Sequence, residues 1–155
     1  MTFDATALAT LGGALALIGG LVGSSIGIAK AASAGTATLA EDSEQFRNVI
    51  VLSSLPMTQS FYGLIILILI ITAVVPNIDT AANGMAVLGI GFIGFMAELF
   101  SAIYQGSVCA SGISLLPKTK GQIFTSSMML AVFVELLGVL GLVFSIMALT
   151  MLGLM

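Results

Sequence analysis

The chain has 155 residues, of which 59% are apolar and only 7% charged, with no His or Trp and a net charge of −3. Its mean hydropathy of +1.21 is far above what a soluble globular domain carries. The four Lys and Arg form no basic patch that could neutralise phosphates, which argues against nucleic acid as a partner. One Cys and no His leave neither a disulfide within the chain nor a Cys/His metal centre.

Met1 to Asp4 bears an acid and lacks the positive region of a cleavable signal, so the first helix is expected to stay. That helix begins in the uncharged stretch Ala5 to Ala29, and a membrane span needs about 20 mostly apolar residues. Along it Gly19, Gly23, Gly27, Ala31 and Gly35 recur every four residues, a stripe without bulk that lets helix backbones pack closely in lipid. The first connection, roughly Thr36 to Gln45, holds Glu41, Asp42 and Glu44. A second span occupies Asn48 to Ile78, followed by a connection from Pro76 to Asn83 that contains Asp79 and no cation.

The third span covers Thr80 to Pro117 and is interrupted by Glu98 alone. It repeats the small-residue stripe less completely, in Gly94, Ala102, Gly106 and Ala110, and its Cys109 reads as a small buried residue. A turn around Pro117, Lys118 and Gly121 leads into the fourth span, Gly121 to Met155, interrupted by Glu135 alone. Lys30 and Arg47 flank the first connection, and Lys118 and Lys120 lie in the third. The positive-inside rule then makes loops 1-2 and 3-4 cytoplasmic and puts both termini and the middle loop outside a multi-pass cell-membrane protein.

The halves echo each other. Ser24, Ile26 and Gly35 match Ser101, Ile103 and Gly112 at an offset of 77, and Gly63 matches Gly138 at 75. The expected fold is therefore all-α, with four transmembrane helices arranged as a duplicated hairpin, residues 1–78 and 79–155. In this alignment Glu135 falls opposite Ser60, so one half alone keeps an acid at that position.

A carboxylate in hydrocarbon costs about 3 kcal/mol by insertion scales, so Glu135 must be protonated or paired with a cation, and it marks a functional site. On the second helix Thr58, Gln59 and Tyr62 share one face by the i, i+3, i+4 rule, and the third helix offers Gln105. Gln59 is twelve residues beyond Arg47, Gln105 thirteen before Lys118 and Glu135 fifteen beyond Lys120. At about 1.5 Å per residue all three lie roughly 18 to 22 Å from the basic end. Oxygen donors around a single carboxylate suit a hard monovalent cation better than Ca²⁺ or Mg²⁺. Pro56 lacks an N–H and so frees a carbonyl one turn earlier, which points to Leu52 as a main-chain donor.

The run Leu55-Pro56-Met57-Thr58-Gln59-Ser60-Phe61-Tyr62-Gly63, together with Gln105 and Glu135, resembles the K subunits, or sixteen-kilodalton proteolipids, of bacterial V-type sodium-translocating ATPases. The resemblance covers essentially the whole chain. It implies Na⁺ bound by the Leu55 carbonyl, Thr58, Gln59, Gln105 and Glu135, with Tyr62 hydrogen-bonded to the glutamate. It favours Leu55 over Leu52 as the main-chain donor. It also implies a rotor ring of identical copies that exchanges ions at a stator membrane subunit with an arginine. Central-stalk subunits would meet the cytoplasmic loops, and ATP hydrolysis would occur in a soluble head. The chain has no nucleotide-binding motif and is not expected to be a catalyst. Glu98 departs from the family pattern, which has a small residue there, and lies about 10 Å along the helix from Gln105, toward the outer side. It reads as a staging point on the ion path, a second proton site or a neutral residue bonded to a neighbouring helix.

The alternative in the same class is a proton-carrying (H⁺) rotor subunit. A small secondary transporter is less favoured, because such proteins are built on inverted repeats with broken helices and these repeats are parallel. A pore-forming oligomer would line a helix with polar rings, whereas here the polar residues gather at one depth.

Overall fold

The computed structural model describes residues 4–155, so the reading of Met1 to Phe3 lies outside it. The described residues form four long helices and no strand: α1 (Ala5–Glu41), α2 (Ser43–Asn77), α3 (Ala81–Thr119) and α4 (Phe124–Met151). At 37, 35, 39 and 28 residues, all exceed the roughly 20 that cross a bilayer. All four are therefore long enough to reach past the hydrocarbon.

The connections are tighter than the composition suggests. α1 continues through Thr36 to Glu41 and stops because Asp42 is extended. The Asp42 backbone N–H still bonds the Thr38 carbonyl at 2.8 Å, and its carboxylate accepts from the Glu44 N–H and the Gln45 amide. One residue thus closes one helix and caps the next. Thr80 caps α3 by accepting from the Asn83 N–H. Pro117 lies inside α3, and the chain turns instead at Lys120 and Gly121, whose φ values are 49° and 80°. Gly121 suits this turn because it carries no Cβ to clash at positive φ.

α2 is not regular. It tightens into a 3₁₀ turn at Leu55–Met57, resumes as α-helix over Thr58–Leu69, and widens to a π-turn at Ile70–Val74. Pro56, with no N–H to give, explains the first irregularity.

The most extensive packing is between α1 and α3, and the small residues explain it. A Cβ on Gly23 would stand 2.7 Å from the Leu99 carbonyl oxygen, and one on Gly12 as close to that of Val87. Gly27 and Gly106 meet backbone to backbone. The α1 stripe is thus used within the chain. On α3 the contact is made by Gly84, Gly91, Ala102 and Gly106. Gly94 lies at the border of this seam, with Ile66 of α2, Ala16 of α1 and Ser145 of α4 all around it, and Ala110 is only half-buried. A four-residue repeat on a 3.6-residue helix drifts around the axis, so its outlying members leave the seam.

The interior divides into two apolar clusters. One contains Ala16, Ile66, Ile70, Val87, Ile90 and Leu149. The other contains Ala31, Leu52, Cys109, Ile113, Leu116 and Ala131. On every helix the numbering leaves a gap between the two clusters, and Ser24, Gln59, Glu98, Ser101 and Gln105 are buried there. Cys109 is a fully buried free thiol.

Candidate ion-binding site

Between the clusters, α2, α3 and α4 place a connected set of polar groups. The 3₁₀ turn at Pro56 puts the Leu55 carbonyl beside Thr58, whose hydroxyl donates to it at 3.3 Å and lies 3.2 Å from Gln59 Oε1. Gln59 is fully buried, and its Nε2 donates to Gln105 Oε1 and to Ser101 Oγ, each at 2.9 Å. Gln105, also fully buried, donates from Nε2 to Glu135 Oε2 at 3.2 Å. Tyr62 donates its hydroxyl to the other carboxylate oxygen, Oε1, at 3.1 Å. The six residues that the resemblance implied, Leu55, Thr58, Gln59, Tyr62, Gln105 and Glu135, belong to this one chain of hydrogen bonds.

The main-chain oxygen that the network reaches is the Leu55 carbonyl, which accepts from Thr58. Thr58 sits three residues on from Leu55 and so reaches that oxygen with its hydroxyl. Ser60, the counterpart of Glu135 in the first half, lies off the network and donates to the Gly20 carbonyl of α1 at 3.4 Å.

Ser101 is the member that sequence reasoning left without a role. Its hydroxyl accepts from Gln59 and donates to the Val134 carbonyl of α4 at 3.0 Å, tying three helices together one turn before Gln105. The i, i+4 relation to Gln105 was the available signal.

Glu98 stands apart. It is fully buried, with both carboxyl oxygens lacking any hydrogen-bond partner among the described residues. It lies one turn before Ser101 on α3 and presses against α4 where Gly138 and Gly141 leave room.

Glu135 itself is half-buried, at the edge of the bundle, and both of its partners are neutral. No salt bridge among the described residues neutralises it: Lys30, well inside α1, gives its Nζ to Ser107 of α3 at 3.1 Å. The metal-ligating atoms that this network can offer, the Leu55 carbonyl, the Thr58 hydroxyl, the two glutamine side-chain oxygens and the carboxylate, are all oxygen and carry one formal negative charge. Such a set fits a hard monovalent cation and lacks the anionic ligands that divalent ions require. Among the described residues, no group of three His, Cys, Asp or Glu gathers.

A four-helix membrane protein with one carboxylate held by glutamine and tyrosine at mid-depth is a proteolipid in its construction. Comparison with known proteins places it: the sequence matches the ATP synthase C-subunit family over residues 11–70 and 88–148. It is 38% identical over 143 residues to the A-type ATP synthase subunit K of Methanocaldococcus jannaschii, covering 89% of this chain and 62% of that protein. It is 33% identical over 150 residues to the V-type sodium ATPase subunit K of Enterococcus hirae, covering 94% of this chain and 88% of the relative. The chain belongs to the ATP synthase C-subunit family and is a multi-pass membrane protein.

Proposed function

We propose that this chain is a non-catalytic rotor subunit of an A/V-type ATPase, assembling with identical copies into a membrane ring and carrying one Na⁺ per chain at Glu135. The observation that supports this most is the single hydrogen-bonded layer between the apolar clusters in which Leu55, Thr58, Gln59 and Gln105, all uncharged oxygen-bearing groups, are linked to the Glu135 carboxylate. The name of the Enterococcus relative, a sodium ATPase subunit, favours Na⁺, and so does the donor count, since a proton needs only the carboxyl and one acceptor.

The mechanism follows from electrostatics. A charged Glu135 cannot face lipid cheaply, so the subunit moves through the bilayer only when a bound cation neutralises it. A stator arginine would displace that cation by offering the carboxylate a fixed positive charge. Tyr62 and Gln105 hold both carboxylate oxygens in place, so the site is already organised when the ion returns. The two matched segments favour the duplicated hairpin, 1–78 and 79–155. The loops bearing Arg47 and Lys118 would then face the cytoplasm and the central-stalk subunits.

Carbodiimide labelling of Glu135 with and without Na⁺ tests the proposal. Na⁺ should slow the labelling, and Glu135→Gln should abolish ion transport while leaving the oligomer assembled. Labelling that responds to pH but not to Na⁺ would replace Na⁺ with H⁺, and normal transport by the variant would remove Glu135 from the mechanism.

A further inference from the structure

Glu98 is, among the described residues, the buried carboxyl that the ion site does not use. A carboxylate with no hydrogen-bond partner and no exposure to water is costly if charged, by several kcal/mol after relaxation. Nothing near it compensates. At this level α1 presents Gly19, Gly20 and Gly23, with no titratable group. α2 presents Tyr62 and α4 presents Glu135, and these two are bonded to each other. Arg47, Lys118 and Lys120 lie near helix ends, and Lys30 is committed to Ser107.

The space around the carboxyl is nevertheless shaped for it. A Cβ on Gly138 would come within 2.8 Å of Glu98 Oε2 and 3.0 Å of Ser101 Oγ, and one on Gly141 within 3.4 Å of Glu98 Oε1. Any larger residue at 138 would fill the volume that the acid occupies. The pocket is too poor in oxygen for a metal ion, because Ser101 already serves Gln59 and Val134. A proton needs no such shell.

We propose that Glu98 is a second cation-binding carboxyl of the protein, that its occupant is a proton, and that this proton stays in place while the ion at Glu135 exchanges. The last clause rests on the ion-carrying reading of Glu135; the first two do not. The arrangement has a consequence for transport. With Glu98 neutral the layer carries one negative charge, which one monovalent ion cancels. Were Glu98 ionised, the loaded subunit would enter lipid still charged.

The test is infrared spectroscopy of the purified, assembled protein at neutral pH, where solvent-exposed carboxyls are ionised, with and without saturating Na⁺. The carbonyl stretch of a protonated carboxyl should be present in the wild type in Na⁺, persist in Glu135→Gln and disappear in Glu98→Gln. Absence of that band from Glu135→Gln, or its loss from the wild type on adding Na⁺, would overturn the proposal. The wild-type measurement needs no variant to fold. In Glu98→Gln, an isosteric mimic of the neutral acid, Na⁺ should still protect Glu135 from carbodiimide as in the wild type; loss of protection in this variant alone would show Glu98 to be an ionised part of the ion site. If Na⁺ protects neither protein while the band persists in Glu135→Gln, the sodium reading fails and the Glu98 assignment stands.

Discussion

Replacing Gln59 with Leu separates the two things this side chain does. It is fully buried and takes part in three hydrogen bonds, to Thr58, Ser101 and Gln105. Side-chain bonds between membrane helices average about 0.6 kcal/mol each, so the apolar near-isostere should lower stability by about 2 kcal/mol. If Gln59 Oε1 is also an ion ligand, removing it takes away a contact to a charged group, worth about 1.5–3 kcal/mol. That is roughly a 10- to 100-fold loss of Na⁺ affinity. Ser101→Ala is the matched control. It breaks the bonds to Gln59 and Val134, for about 1 kcal/mol, yet removes no oxygen from the ion's shell, so affinity should stay within about threefold. Both effects are readable on the solubilised oligomer: stability by calorimetry, and affinity as the Na⁺ concentration that half-protects Glu135 from carbodiimide. Unchanged half-protection in Gln59→Leu would remove Gln59 from the ligand set. An equal shift in Ser101→Ala would mean that network rigidity, and not coordination, controls affinity.

Two further outcomes are expected. Tyr62→Phe removes the hydroxyl 3.1 Å from Glu135 Oε1, and the freed carboxylate should react faster with carbodiimide in the absence of Na⁺, with Na⁺ binding weakened by roughly 3- to 15-fold for a loss of about 0.6–1.7 kcal/mol. Gly23→Ala places a methyl 2.7 Å from the Leu99 carbonyl, forcing α1 from α3 at about 1–3 kcal/mol; Gly89→Ala, where a Cβ meets nothing within 4 Å, should leave the melting temperature of the oligomer unchanged.

The spans were legible because each of the four helices is interrupted by few charges, and lipid requires every backbone polar group to be satisfied within a helix. The polar cluster was legible for a different reason. Polar residues are so rare in this chain that counting residues from the basic ends was enough to find those at one depth, and Gln59, Gln105 and Glu135 do meet. The end of α1 was misjudged because a polar side chain caps there rather than breaks: the helix runs to Glu41 and Asp42 closes it, well beyond the loop that Thr36 suggested. The small-residue stripe on α1 was legible but its partners were not: Gly19, Gly23 and Gly27 meet α3 while Gly35 meets Val49 of α2, because facing residues depend on helix rotation, which spacing along one helix does not contain. Ser101 was passed over since serine is common in membrane helices, and its value lies in reaching Gln59 and Val134 from two other helices at once.

On the proposed reading, the same geometry lets Glu135 serve as a carrier without a permanent counter-charge. A fixed lysine or arginine beside Glu135 would neutralise the carboxylate in every state and leave an arriving cation nothing to gain. Tyr62 and Gln105 instead supply hydrogen bonds without charge, so the carboxylate is held in position but still lacks one positive charge. Lys30, the nearest candidate by helix position, is turned to Ser107. A cation bound as proposed would complete the electrostatics that the protein leaves open, and its presence or absence would decide whether the protein enters lipid.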